Sequence, residues 1–287
     1  MAIRVVTDST SDLPAELAQR WHITVLPCYV MEGDVTYKDG VDLSHDQFYR
    51  LLTSGSRPPT TAQPSTADFQ QVYEELLGQG HEVISIHVSG KLSGTLNSAE
   101  QAKASLAEAA PIEIIDSQLA SIPLGLAVVA AAEQAEQAES YQQVAGKVRQ
   151  DLPLTHCFFL LDTLEYLQKG GRIGRAQAFL GSMLSVKPIL KLQDGEAHPV
   201  ERPRTWERGV RRMLELVREL APVRQLAVIH STDPQRAADL RGQLSDLLPA
   251  DQVISARFGP TLGTYLGPNA LGVALTQAGG PESGQAP

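Results

Sequence analysis

Hydroxyl side chains set among glycines where a strand turns into a helix are suited to binding an anion, and this chain carries two such stretches. The first is His87-Val88-Ser89-Gly90-Lys91-Leu92-Ser93-Gly94-Thr95-Leu96-Asn97-Ser98-Ala99. It follows the alternating apolar run Val83–Val88, which is bounded by turn residues and predicts a strand. From Thr95 to Ala109, Ala, Leu, Gln, Lys and Glu recur at helical spacing. Such a junction leaves free N–H groups at the helix start, which attract an anion, and the hydroxyls can donate to the same oxygens. The second stretch is Thr60-Thr61-Ala62-Gln63-Pro64-Ser65. Two hydroxyl-rich helix starts suggest one shared anionic ligand.

Other chemistries fit these residues less well. Gly90-Lys91-Leu92-Ser93-Gly94 lacks the single residue between Gly and Ser that a hydrolase elbow needs. His87 and Asp116 could complete a triad, yet a lone strand histidine is more often a packed core residue. The chain has no Gly-x-x-x-x-Gly-Lys-Ser/Thr phosphate loop. Asp8-Ser9-Thr10-Ser11-Asp12 lacks the second carboxylate, two residues on, that an aspartyl-phosphate site requires, and reads better as a turn or cap. The seven histidines make no metal-ligand spacing. No catalytic centre, metal site or cofactor motif emerges, which favours a binding protein.

The elements that must position these loops alternate. Ile3–Thr7 is predicted as a strand, followed by a helix opening at Pro14 behind Ser11 and Asp12. Ile23–Met31 is a second strand, and 32–42 a hairpin excursion turning at Glu32-Gly33-Asp34. Ser44-His45-Asp46-Gln47 opens a helix to Thr53. A loop over 54–65 precedes a helix over 66–77, and Ile112–Asp116 is a strand before two Ala- and Gln-rich helices ending near Gln150. This βαβ rhythm argues for a parallel sheet covered on both faces. After Pro153 the pattern changes. Cys157–Leu161 is a strand, Lys187–Leu192 and Ala197–Glu201 flank Asp194-Gly195 as a hairpin, and helices over 206–220 and 235–247 alternate with strands over 226–230 and 253–257. The expected fold is α/β with two domains and a ligand between them: an N-terminal three-layer parallel-sheet domain (1–153) and a C-terminal α+β domain (154–278). Residues 279–287 read as a disordered polar tail.

At 287 residues, 43% hydrophobic and 20% charged, the chain can bury a substantial core. No apolar run approaches the ~20 residues that span a bilayer, and the start reads as a strand rather than a signal peptide. Cys28 and Cys157 read as buried free thiols, which fits a reducing cytoplasm. The net charge of −9 argues against broad nucleic-acid binding. From Lys169 to Arg218, however, eleven Lys/Arg face five acids, a local +6 that could meet an acidic protein or a nucleotide.

Nine stretches, in order along nearly the whole chain, resemble the DegV family. They are Val6–Pro14, Tyr37-Lys38-Asp39-Gly40-Val41-Asp42, Pro59–Ser65, Ser89–Thr95, Ile115-Asp116-Ser117, Leu164–Ile173, Lys187-Pro188-Ile189-Leu190, Arg204-Thr205 and Gly263-Thr264-Tyr265-Leu266-Gly267-Pro268. Each alone is weak, and together they are specific. Members of that family act as the fatty-acid-binding subunits of bacterial fatty acid kinase. The resemblance implies a long-chain fatty acid whose carboxylate is held by Thr61 and Ser93, with backbone N–H groups from Gly94 and Thr95 and with Tyr265 nearby. It implies an acyl channel between the domains, for which Ile122, Leu126, Phe158, Leu160, Phe179, Met183, Leu184 and Ile189 are candidate lining residues. A separate ATP-dependent kinase would phosphorylate the carboxylate to an acyl phosphate, docking near Arg172, Arg202 and Arg204. The acyl phosphate could then pass to a membrane acyltransferase. Many members have His where this chain has Tyr265, which makes the carboxylate site less cationic, and Asn269 replaces a frequent glycine. Two other readings are a lipid carrier or sensor without a kinase, and a serine enzyme with Ser93 as acyl acceptor and His87 as base.

Overall fold

A computed structural model describes residues 2–54, 58–180 and 186–279 and contains three sheets. The first half runs β1 (Ile3–Asp8), α1 (Ala15–Arg20), β2 (Thr24–Leu26), β3 (Tyr29–Glu32), β4 (Val35–Lys38), α2 (His45–Ser54), β5 (Thr60–Ala62) and α3 (Thr66–Gly78). It continues with β6 (Glu82–His87), α4 (Thr95–Ala104), β7 (Ile112–Asp116), α5 (Ile122–Ala135) and α6 (Tyr141–Asp151). The second half comprises β8 (Thr155–Leu160), α7 (Glu165–Lys169), β9 (Ile189–Gln193), β10 (Glu196–Glu201) and α8 (Trp206–Arg218). β11 (Val223–His230), α9 (Pro234–Gln243), β12 (Ile254–Arg257), α10 (Pro260–Leu266) and β13 (Leu271–Gln277) follow.

The first sheet, β2-β1-β6-β7, is wholly parallel. Its strands are apolar on both faces because both are covered. Val6, Val83 and Ile112 pack on Phe69 and Tyr73 of α3 and Ala99 of α4. Val5, Ile84 and Ile86 pack on Leu124 and Val128 of α5 and Val144 and Val148 of α6. The second sheet, β10-β9-β8-β13-β11-β12, is antiparallel except for its β11–β12 pair. One face carries α8 and α9 through Met213, Val217 and Leu240. The other receives Ile122 and Leu126 of α5. Helix α5 therefore lies between the two sheets, which explains why it is apolar all round and carries no charge before Glu133.

A third, small sheet, β4-β3-β5, stands beside them. The predicted strand 23–31 divides here: after Pro27, which has no N–H to donate, the chain leaves the parallel sheet as β2 ends and enters the small sheet as β3. The hairpin turns at Gly33 (φ +59°), as expected, but spans Tyr29–Lys38 rather than 32–42. The Thr60–Ala62 stretch, read as loop, pairs with β3 as an edge strand. Residues 260–266, for which the sequence predicts no element, form α10 with Pro260 in its first turn. The expected strands omit β13, which lies between β8 and β11 near the centre of the second sheet.

Candidate ligand-binding site

In the parallel sheet β1 leads on to β2 on one side, while its neighbour β6 leads on to β7 on the other. The loops leaving the carboxyl ends of β1 and β6 therefore diverge and open a crevice, the usual ligand position in such sheets. Thr10 from the first loop and Val88, Leu92 and Ser93 from the second line a cavity there. The second half closes it with Phe159, Leu167, Leu190, Leu192, Leu262 and Leu266, so its walls are mainly apolar. Thr61, Arg172 and Tyr265 line the same cavity, joining one end of β5, the loop after α7 and helix α10 to the Ser93 loop.

The Ser93 loop is held from both halves. Ser89 Oγ donates to Gly195 O (2.7 Å) in the β9–β10 turn. Ser93 Oγ accepts from Thr95 N–H (3.3 Å) and shares a hydrogen with Thr95 Oγ1 (2.9 Å). Thr95 is buried, and Gly94 is close-packed: a Cβ there would stand 2.7 Å from Gln63 Nε2. Thr61 Oγ1 lies 2.5 Å from the Tyr265 hydroxyl. Arg172 donates through Nε to Leu92 O (3.1 Å) and through Nη1 to Gly170 O (2.9 Å), and its guanidinium lies 5.3 Å from the Tyr265 ring centroid. Thr61, Ser93 and Tyr265, predicted from distant motifs, are thus brought together, and Arg172 joins them.

The candidate acyl-lining residues are placed elsewhere. Ile122 and Leu126 are fully buried between α5 and the second sheet. Phe158, Leu160 and Ile189 belong to the face of that sheet under α8 and α9, while their neighbours Phe159 and Leu190 point into the cavity. Phe179 lies beneath the Arg202 guanidinium, 4.8 Å from its ring centroid, and does not line the cavity. Met183 and Leu184 fall outside the described residues. Strand alternation, applied to β8 and β9 once the covered face is known, is the signal that selects Phe159 and Leu190. Cys28 also lines the cavity, and burial raises its thiol pKa well above the ordinary value.

Arg204 is exposed. Glu165 pairs with Lys169 at 2.5 Å, and Glu201 pairs with Arg212 at 2.6 Å. His87 is fully buried, with Nδ1 2.9 Å from Asp8 Oδ2 and Nε2 2.7 Å from Ser85 Oγ. Asp116, the triad partner considered from sequence, instead accepts from the N–H groups of Gly90 and Gln118. The order Asp8–His87–Ser85 imitates a catalytic triad but is closed to solvent, and both ring nitrogens are engaged.

Two further carboxylates bind the halves together behind the cavity. Asp12 accepts from Gly259 N–H (2.8 Å) and Ser121 Oγ (2.6 Å). Asp39 accepts from Ser9 Oγ (3.0 Å) and Thr261 N–H (3.1 Å). Burial raises both pKa values, that of Asp39 to about 6. Among the described residues no helix is long and apolar enough to cross a membrane.

Comparison with known proteins extends these findings. A family model described as an uncharacterised protein of the DegV family matches residues 2–278. A DegV domain-containing protein of Deinococcus radiodurans is 36% identical over 281 residues, covering 96% of this chain and 98% of the relative. Protein DegV of Bacillus subtilis is 35% identical over 278 residues, covering 95% and 98%. Among solved structures, one described as fatty acid binding of a DegV family protein from Thermus thermophilus superposes with a TM-score of 0.90 at 34% identity, covering 97% of this chain and 100% of that one. That of DegV from Bacillus subtilis, described as a fatty acid binding protein, gives 0.86 at 33% identity, covering 96% and 99%.

Proposed function

This chain belongs to the DegV family, and from that premise we propose that it binds a long-chain fatty acid between its two halves. The observation that carries this reading is a mainly apolar cavity that ends at hydroxyls and one guanidinium. Each buried CH₂ contributes about 0.8 kcal/mol, so a dry channel holds a chain that water rejects. The carboxylate meets Ser93 and the Thr61–Tyr265 pair. Two hydroxyls that share one hydrogen bond leave one hydrogen over, so the Thr61–Tyr265 pair retains a donor for the carboxylate. Arg172 supplies the positive charge that a tyrosine at position 265 does not. Its pinning to Leu92 O and Gly170 O suits a fixed role at the cavity rim. Cys28, Phe159, Leu190, Leu192 and Leu262 replace Ile122, Leu126, Phe158 and Phe179 as the lining assigned to the acyl chain. Residues 1–153 and 154–278 are assigned as the two domains around it.

A separate kinase then phosphorylates the bound carboxylate, docking on the basic rim of Arg172, Arg202 and Arg204. Arg204→Ala, exposed and away from the cavity lining, lowers the rate of acyl-phosphate formation with the cognate kinase while melting temperature and fatty acid affinity stay at parental values. An unchanged rate in the folded variant removes the docking role. The serine-enzyme reading is disfavoured because the ring nitrogens of His87 are already bonded to Asp8 and Ser85. Native mass spectrometry of the purified protein tests the central reading. Non-covalent fatty acid is expected, a covalent adduct at Ser93 supports acyl transfer instead, and protein that is empty and takes up no added oleate defeats the proposal.

A further inference from the structure

The acyl cavity is not alone at its rim. An outer cleft, edged by Pro59, Thr60, Glu165, Lys169 and Thr264, adjoins it. The two spaces share Thr61, Arg172 and Tyr265 as a common wall. Tyr265 is gripped there from three sides. Its hydroxyl meets Thr61 Oγ1 at 2.5 Å. The Arg172 guanidinium covers one face of the ring, 5.3 Å from its centroid. Against the ring lies Gly170, where a Cβ would stand 2.4 Å from Tyr265 Cδ1. Gly171 follows with φ +71°, a left-handed turn that side chains resist, and Arg172 then folds back to bond Gly170 O. The Gly170-Gly171-Arg172 motif is thus a seat for one aromatic ring.

The geometry points to Tyr265 as the residue that closes the neck between the outer cleft and the acyl cavity, so that breaking the Thr61–Tyr265 hydrogen bond governs the rate at which acyl ligands enter and leave. This rests on the acyl reading of the inner cavity. In the free protein the two hydroxyls bond each other, so neither oxygen at the closed neck is left without a partner. A carboxylate is a stronger acceptor than a phenol and takes over Thr61 when it arrives. Tyr265 is only partly buried, which leaves its ring an outward path into the cleft.

Cys28 provides a readout that needs no fatty acid. Its thiol lines the inner cavity and is 2% exposed, whereas Cys157, also 2% exposed, is packed in the core of the second half. Tyr265→Phe keeps the ring and removes the hydroxyl. Modification of Cys28 by methyl methanethiosulfonate is expected to quicken about three- to tenfold, the worth of one net hydrogen bond, with Cys157 unchanged. Tyr265→Ala, which also removes the ring, quickens Cys28 further. Association and dissociation of cis-parinaric acid, followed by stopped-flow fluorescence, rise together in Tyr265→Phe. Equal Cys28 rates in parent and both variants overturn the neck assignment, as does a rise in dissociation alone, which would make Tyr265 a carboxylate ligand only. A parallel rise at Cys157 also overturns it, since that reports general loosening. Faster Cys28 modification in a protein that binds no cis-parinaric acid upholds the neck and defeats the fatty acid reading.

Discussion

Ser93 and Thr61 approach the cavity in different ways. Ser93 is held by its own helix start, through Thr95, while Thr61 is held across the molecule by Tyr265. Replacing Ser93 with Ala removes one charge-assisted hydrogen bond and is expected to weaken fatty acid binding by about 1.5–3 kcal/mol. Thr61→Val keeps the shape and loses a similar amount, and it also leaves the Tyr265 hydroxyl without its partner. Displacement of a fluorescent fatty acid measures both, and parental affinity in both variants would place the anion site elsewhere. His87 shows the opposite case. Its hydrogen bonds to Asp8 and Ser85, and that of Ser85 to Tyr73 at 2.7 Å, form a buried chain. Every member of that chain is satisfied, and its role is to pin β1, β6 and α3 to one another.

Among the elements, strands β8 and β9 decide what the ligand touches. Both faces of their sheet are covered, so consecutive residues are apolar and the alternation that would mark an inner face disappears. Phe158 and Phe159 are both buried, yet only Phe159 lines the cavity. The two faces are expected to respond separately. Phe158→Ala empties the space beside α8 and destabilises the protein by about 3–5 kcal/mol with fatty acid affinity unchanged. Leu192→Trp fills the cavity from β9 and abolishes uptake while melting temperature stays within a few degrees of the parent. Chemical denaturation and ligand titration of both variants give the comparison, and loss of affinity in Phe158→Ala with retention in Leu192→Trp would reverse the assignment. Helix α5 obeys the same two-sided logic: a Cβ at Gly125 would stand 2.8 Å from Ser11 O, so the helix approaches the β1 loop as closely as a glycine permits.

Across the whole molecule, the halves are joined by hydrogen bonds to buried carboxylates as well as by α5. Asp12 and Asp39, from the first half, accept the N–H groups of Gly259 and Thr261 in the second. Burial raises the Asp39 pKa from 3.8 to about 6. A carboxyl whose pKa is higher folded than unfolded binds its proton more tightly in the folded state. Its contribution is therefore present below about pH 4 and is lost as pH rises through 6, a change of up to about 3 kcal/mol. Asp39→Asn removes the titration, so the variant should gain stability relative to the parent between about pH 4 and pH 7. Urea denaturation across that range measures the difference, and a constant gap between variant and parent would show that Asp39 does not titrate there.

Local signals in the sequence were sufficient for the parallel βαβ half, the hairpin turn at Gly33, and the Ser65 and Ser44 helix starts, because each depends on neighbours within a few residues. The nine ordered motifs were sufficient for the family, and Thr61, Ser93 and Tyr265 within them line one cavity. Tertiary structure alone decided the rest. It split residues 23–31 between two sheets, since whether a strand continues past Pro27 depends on which partner receives it. It placed β13 near the centre of the second sheet, where burial comes from partners over a hundred residues away in β8. It chose Phe159 over Phe158 and Leu190 over Ile189, because periodicity reports that a residue is buried but not what lies above it. It turned Arg172 toward Tyr265, Leu92 and Gly170, a geometry set by Gly171 and by contacts eighty residues apart in the chain. Short-range chemistry is written along the chain, whereas the choice of face and partner is made only when distant surfaces exclude water together.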